Sequence, residues 1–342
     1  MVAFDGDMMN INAGRLLLGL AAAALAAAPS FAFGISSSHS RPDRRSQEYL
    51  LSWGLSQIDV DRAYRKGDAG RGVTVAMIDT GLEGASRGMF AQLSPASLDL
   101  VRNRSLGDLG ASHGRQTASI LAAARDGAAT MGVAYEATLL AIRADIDGSC
   151  QTMCAMTGTD VARGIDYAVA QGARVIGLPL SSNTPLPSIE PALQRAVRAG
   201  VLIVAAAGNE GRDEPTWPAR YAADPRFEGS ILVAGASTPR RRLAPWSNKA
   251  GSTAHRYLIA PGENLFVDCD RRTCRAVSGT SFSVSYVAGA AALLIGRHPE
   301  LSGSEAASLL LSGADGGDRP LASSGRGALD VSRAIKLADK FG

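Results

Sequence analysis

The chain has 342 residues, 46% of them hydrophobic and 20% charged, which is enough apolar material for a large domain and excludes a disordered chain. Its 38 glycines and 15 prolines follow no Gly-X-Y period, so a collagen-like rod is excluded as well. With 35 Lys and Arg against 32 Asp and Glu, the net charge of +3 is too balanced for a nucleic-acid footprint, and nucleic acid is not an expected partner.

The first feature along the chain is the apolar run Leu16 to Ala28, 13 residues preceded by Arg15. A bilayer span needs roughly 20 residues, so this run is too short to cross a membrane. It fits the apolar region of a secretory signal peptide, with Ser30-Phe31-Ala32 as a small-x-small cleavage site. The alternative is an Ala-rich buried helix. Residues 1–32 are therefore expected to be a signal peptide and 33–50, rich in Ser and Arg, a flexible leader. Export to the periplasm or medium follows, and no later run is long enough for a stable membrane span in the mature chain.

From residue 51 onward the pattern alternates between strand-like runs and amphipathic helices. Val73 to Ile78 predicts a buried strand ending at Asp79-Thr80-Gly81, and His113 to Ala124 a helix. Thr138 to Arg143 predicts a strand and Asp160 to Gly172 a helix closed by glycine. Strands over Val175–Leu180, Val201–Ala207 and Ile231–Ala236 follow, with a helix over Ile189–Gly200 between the first two. Phe282 to Gly296 and Glu305 to Leu311 predict two more helices. This alternation reads as an α/β fold with a mostly parallel central sheet flanked by helices, one domain over 51–342.

The four cysteines, Cys150, Cys154, Cys269 and Cys274, suit an oxidising compartment, and their short spacings favour the local pairs Cys150–Cys154 and Cys269–Cys274. A zinc site is the rival reading, but the spacing is not Cys-x2-Cys and no histidine lies close in sequence.

Three short segments stand where strands or loops meet helices: Asp79-Thr80-Gly81, His113-Gly114 and Ser278-Gly279-Thr280-Ser281. Taken singly, each is an ordinary turn or helix cap. Together they supply a carboxylate, an imidazole and a hydroxyl, the groups that acyl transfer requires. A serine hydroxyl needs a base to become a nucleophile, and a buried carboxylate sets the tautomer of that base.

The stretches VAMIDTGLE, SHGRQTASI, AAAGNEG and SGTSFSVSYVAGAAALL resemble the four signature segments of the subtilisin-like serine proteases, in the same order. The likeness extends from about Trp53 to about Leu337, including WGLSQIDVDRAYRKGDAGRGV, PARYAADPRFEGSILVAGAS, IAPGENL and GRGALDVSRAI. It implies a three-layer subtilisin-like fold and a serine endopeptidase acting on protein or peptide substrates. By that resemblance Ser281 is the nucleophile, His113 the general base and acid, Asp79 its orienter, and Asn209 the oxyanion-hole amide. Leu178, Pro179, Leu180 and Ser181 take the place of one substrate-binding stretch, and Ala206, Ala207 and Gly208 wall the primary pocket.

Departures from the family pattern accompany the likeness. Arg115 follows His113-Gly114 where the family usually has Thr, and it is expected at the exposed rim of the cleft. Ser181 replaces a glycine beside the peptide path, and Pro179 keeps a carbonyl able to accept a substrate N–H. Phe282 to Tyr286 replaces the family's Met-Ala-x-Pro-His, which reads as repacking within a helix. Family members often bind calcium, yet no EF-hand-like loop occurs, so no cofactor is expected and a structural Ca²⁺ rests on the resemblance alone. The leader is too short for the folded inhibitory prodomain that many members carry. A catalytically silent peptide-binding protein on the same fold is the alternative function, and an esterase is disfavoured by the missing G-x-S-x-G elbow. No feature speaks to oligomeric state.

Overall fold

The computed structural model describes residues 42–340 except 86–87, 102–103, 109–111, 128, 152–153, 270–272 and 318. The expected signal peptide and residues 33–41 lie outside the described residues. The rest of the expected flexible leader does not behave as one. Ser46 caps a short helix, α1 (Gln47–Leu51), by accepting from the Tyr49 amide, and Glu48 and Tyr49 are buried. Tyr49 joins the apolar core, which explains why this segment packs.

Two more short helices, α2 (Gly54–Gln57) and α3 (Asp61–Arg65), lead to the first strand, β1 (Thr74–Asp79). The chain continues through β2 (Leu98–Asp99), α4 (His113–Ala122), β3 (Thr138–Arg143), α5 (Gly158–Ala170), β4 (Val175–Leu178), α6 (Glu190–Arg198), β5 (Leu202–Ala206), β6 (Ile231–Ser237) and β7 (Tyr257–Pro261). A two-stranded antiparallel hairpin, β8 (Leu265–Val267) and β9 (Arg275–Val277), precedes α7 (Thr280–Arg297), α8 (Gly303–Gly313) and α9 (Val331–Ala338).

The main sheet has seven strands in the order β2-β3-β1-β4-β5-β6-β7, with every pairing parallel. Parallel strands joined by helical crossovers need both faces covered, and the side chains divide accordingly. On β1, Val75 and Met77 enter one apolar core while Ala76 and Ile78 enter the other. On β5, Leu202, Val204 and Ala206 face the first core, and Ile203 and Ala205 the second. The first core is roofed by α4, α7, α8 and α9; the second by α5 and α6.

α7 passes through the centre of the first core, beneath β4 to β7, and 15 of its 18 residues are buried. Its run of Ala288, Gly289, Ala290, Ala291 and Ala292 lets the helix lie close to the sheet and to α4. Emptying one large position there, as in Leu293→Ala, belongs to the class of core truncations that cost about 2–5 kcal/mol.

The predicted strands and long helices match these elements to within a few residues at each end. β4 stops at Leu178 instead of Leu180 because Pro179 has no N–H to continue the ladder. The disulfides are the two local pairs, Cys150–Cys154 and Cys269–Cys274. Among the described residues no helix is long and apolar enough to cross a membrane.

Candidate active site

Asp79 is the last residue of β1, at the carboxyl edge of the sheet where ligands of open parallel sheets bind. Its side chain is 5% exposed. Oδ1 accepts from the Thr80 amide at 2.7 Å and lies 2.8 Å from His113 Nδ1; Oδ2 accepts from Thr117 Oγ1 at 2.8 Å. Burial works to raise the Asp79 pKa, but the charge of His113 and the hydrogen bonds from His113 and Thr117 outweigh it, so the carboxyl is held below its ordinary value. An ionised carboxylate only accepts, so His113 Nδ1 carries the proton and Nε2 is left as the basic nitrogen.

His113 opens α4, and the helix approaches β1 closely through its next residue. The Gly114 amide donates to Thr80 Oγ1 at 3.0 Å. A Cβ at Gly114 would stand 2.4 Å from the Gly81 carbonyl oxygen, so the contact admits only glycine. Beneath the Asp79-Thr80-Gly81 turn lies a buried group of charges. Arg143 Nε donates to Asp145 Oδ1 at 2.8 Å, and Arg104 reaches Asp99 at 2.7 Å and Asp145 at 2.9 Å. The stem of Arg143 sits under Gly81, and the Leu82 amide donates to the Leu106 carbonyl at 2.7 Å, which fixes the turn from below.

Ser281 lies in the first turn of α7, where the leading amides have no intrahelical partner. Its hydroxyl donates to the Pro179 carbonyl at 3.1 Å. The next residue, Phe282, sets its ring against the His113 imidazole, with centroids 5.8 Å apart. Asp79 and His113 are thus joined directly, whereas the Ser281 hydroxyl is turned to Pro179 and it is the neighbouring Phe282 that packs on His113. Catalytic hydrogen bonds commonly close only once substrate is present.

Asn209 sits just after β5. Its Oδ1 accepts from both the Thr280 amide and Thr280 Oγ1, each at 2.9 Å. Those two donations fix which end of the amide is oxygen and leave the Nδ2 group free to donate elsewhere. Thr280 Oγ1 in turn accepts from the Gly208 amide at 3.2 Å, which ties the end of β5 to the start of α7.

The two expected substrate-binding stretches are brought together. Ser182 and Trp217 exchange backbone hydrogen bonds of 2.7 and 2.9 Å, and the Thr216 amide donates to the Ala207 carbonyl at 2.9 Å. One strand-like segment therefore bridges 179–182 and 206–208. Leu178 and Leu180 are buried in the second core, so only their backbone is available to a ligand. Ser181 is 3% exposed, so its side chain is covered. Ala206 and Ala207 divide between the two cores, and Gly208 holds φ at +104°, beyond the range of side chains with a Cβ.

Arg115 requires a correction. It is not at an exposed rim: its side chain is 15% exposed, donates to the Glu83 carbonyl at 2.5 Å and pairs with Asp268. The cause is the β8–β9 hairpin, which folds over the first turn of α4 and supplies the carboxylate. The other histidines are elsewhere, with His298 at the end of α7 bonded to Asp339 and His255 in a 3₁₀ turn. Thr117 and Asp268 escaped the sequence reading, and Thr80 and Thr280 were named there only as members of their segments, without the hydrogen bonds they make. Thr117 carried a usable signal, since it falls one helical turn after His113 and so shares its face.

Among the described residues no group of three or more His, Cys, Asp or Glu stands together to hold a metal ion. Where carboxylates do gather, at Asp99 and Asp145, two guanidinium groups occupy the space between them.

The subtilase family profile matches residues 70–328. The chain is 31% identical to subtilisin BL of Lederbergia lenta over 264 residues, covering 74% of this chain and 87% of that one. It is 30% identical to subtilisin E of Bacillus subtilis (strain 168) over 264 residues, covering 75% and 65% respectively. A protease of Pseudoalteromonas arctica PAMC 21717 shares the fold with a TM-score of 0.74 at 21% identity, over 87% of this chain and 100% of the other. A profile match over most of the described chain, with two relatives at this level of identity, settles the lineage: the chain belongs to the subtilase family and is a serine-type endopeptidase.

Proposed function

We propose that this chain is exported and hydrolyses peptide bonds through an acyl-enzyme on Ser281, with His113 as general base and acid, Asp79 as its orienter and Asn209 as an oxyanion donor. The observation that carries the reading is the buried Asp79–His113 pair at 2.8 Å, its free imidazole nitrogen held beside the residue that follows Ser281. The Pro179 carbonyl accepts the hydrogen bond of the Ser281 hydroxyl. A peptide laid in extended form along 179–182 would bring an N–H to that carbonyl and release the hydroxyl toward His113. Ser281 Oγ then attacks the scissile carbonyl as its proton passes to Nε2, and the imidazolium is stabilised by Asp79. The negative charge that develops on the carbonyl oxygen meets the Asn209 Nδ2 group and the free Ser281 amide at the positive end of α7. His113 returns the proton to the leaving amine, and water repeats the sequence in reverse to free the second product.

Export rests on the apolar run at 16–28 and on the pairing of the four cysteines, which is stable in oxidising compartments. The deciding experiment is labelling of the folded chain with a fluorophosphonate probe, followed by peptide mapping. An adduct on Ser281 that is lost in Ser281→Ala and in His113→Ala, with peptide hydrolysis abolished in both, is the expected result. A folded chain that takes no label would instead be a silent peptide-binding protein.

A further inference from the structure

The residue that answers Arg115 comes from the other side of the site. Asp268 directly follows β8 with φ at 51°, a left-handed conformation that Asp and Asn adopt more readily than other residues bearing a Cβ. One carboxylate oxygen takes the Arg115 guanidinium; the other accepts from Gln116 Nε2 at 2.6 Å. Gln116 Nε2 also donates to Ser112 Oγ at 3.1 Å, so the carboxylate holds two residues that follow His113 and, through Gln116, the residue that precedes it. Arg275 on β9 stands 3.9 Å from the same carboxylate and 3.5 Å from Ser112 Oγ. The Asp268 side chain is only 15% exposed, so these charge-assisted bonds are poorly screened.

The hairpin that carries Asp268 is itself constrained. Cys269 follows at once and pairs with Cys274, beside Arg275 at the start of β9. β9 then runs through Ser278 and Gly279 into the first turn of α7. On its opposite side the start of α4 is held to β1 by the Gly114 amide on Thr80 and by Thr117 on Asp79. The turn that bears His113 is therefore clasped from two sides, by β1 and by the segment that leads to Ser281.

We propose that Asp268 is a positioning residue for His113, fixing the base helix against the hairpin through Arg115 and Gln116; this rests on the reading of His113 as general base. Asp268 acts through the helix and touches neither peptide-binding stretch. Asp268→Asn keeps the backbone preference and the shape while removing the charge. Misplacing a catalytic group by about 1 Å costs up to about 10²-fold, so a loosened turn is expected to lower kcat about tenfold with KM changed less than about twofold. Arg115→Gln is expected to lose a similar factor, and the double variant to fall by less than the product of the two, because both break the same ion pair. Amide exchange at 113–117 should rise in Asp268→Asn while the rest of α4 is unchanged.

An unaltered kcat in folded Asp268→Asn, or single losses that multiply in the double variant, overturns the proposal. If Asp268→Asn does not fold, Arg115→Gln decides by the same split between kcat and KM. The exchange measurement separates the two readings. A wild-type chain that fails to label Ser281 defeats the catalytic assignment, whereas unchanged exchange at 113–117 in Asp268→Asn defeats the clasp whatever the labelling shows.

Discussion

Three donors surround the Asp79 carboxylate in a pocket that solvent barely reaches: the Thr80 amide, Thr117 Oγ1 and His113 Nδ1. The net effect of that shell is a depressed pKa, so the group contributes stability above the ordinary Asp range near 4 that is lost as pH falls through the lowered value. Asp79→Asn is expected to lower kcat by about 10⁴-fold, the size of loss known for this change in such triads, because the amide favours the wrong imidazole tautomer. A folded Asp79→Asn protein within tenfold of wild type would remove Asp79 from the mechanism. At this scale the sequence was informative about identity and silent about support. Asp79, His113, Ser281 and Asn209 were picked out because the four segments that carry them resemble, in order, the signature stretches of the family. Thr280 and Thr117 are common residues whose roles exist only once two distant segments meet.

The elements meet where side chains are absent. α4 can carry its first residue up to β1 only because Gly114 has no Cβ, and Gly114→Ala would drive a methyl group into the Gly81 backbone. The helix must then shift or tilt, which lengthens the 2.8 Å contact between Asp79 and His113. We expect kcat to fall by more than about tenfold, with the thermal midpoint lowered by several degrees, as overpacking costs about 1–3 kcal/mol. Wild-type activity in Gly114→Ala would show that the approach is looser than it looks. Strands and long helices were legible because burial on two faces imposes continuous apolar runs, and burial on one face a helical period. The short helices α1 to α3 and the β8–β9 hairpin were not, since a few residues are too few to display a period. The local disulfide of the hairpin was foreshadowed by the cysteine spacing, but its contact with α4 was not, because Asp268 is far in sequence from Arg115 and Gln116.

Across the molecule, the segments before β1 and after α8 are sewn together. The Val331 amide donates to the Ile58 carbonyl at 2.8 Å, and Ser332 Oγ donates to the Asp59 carbonyl at 2.8 Å. Asp339 completes the seam: its carboxylate accepts from Lys66 Nζ and Arg297 Nε, both at 2.7 Å. Burial works to raise its pKa, but the hydrogen bonds of Lys66 and Arg297 prevail and hold it far below the usual carboxylate value. A depressed acid stabilises the fold above its unfolded pKa near 4 and stops doing so as pH falls toward the folded value. Asp339→Asn is therefore expected to be less stable at neutral pH and to lose less stability than wild type between about pH 4 and pH 2. Parallel acid-denaturation curves for the two proteins would refute that. The general architecture was readable from the alternation of elements, but this seam was not, because nothing local links residue 339 to residue 66.

The position of α7 has a consequence for how the molecule comes into being. This helix supplies the floor beneath β4 to β7, yet ribosomes deliver it only after all seven strands have been made. Until then Leu202, Val204, Leu232 and Leu258 face outward with nothing over them. Parallel sheets also assemble slowly, since their contacts join residues far apart in sequence. A chain that ends before α7 would leave this apolar face uncovered and open to association with other copies of itself.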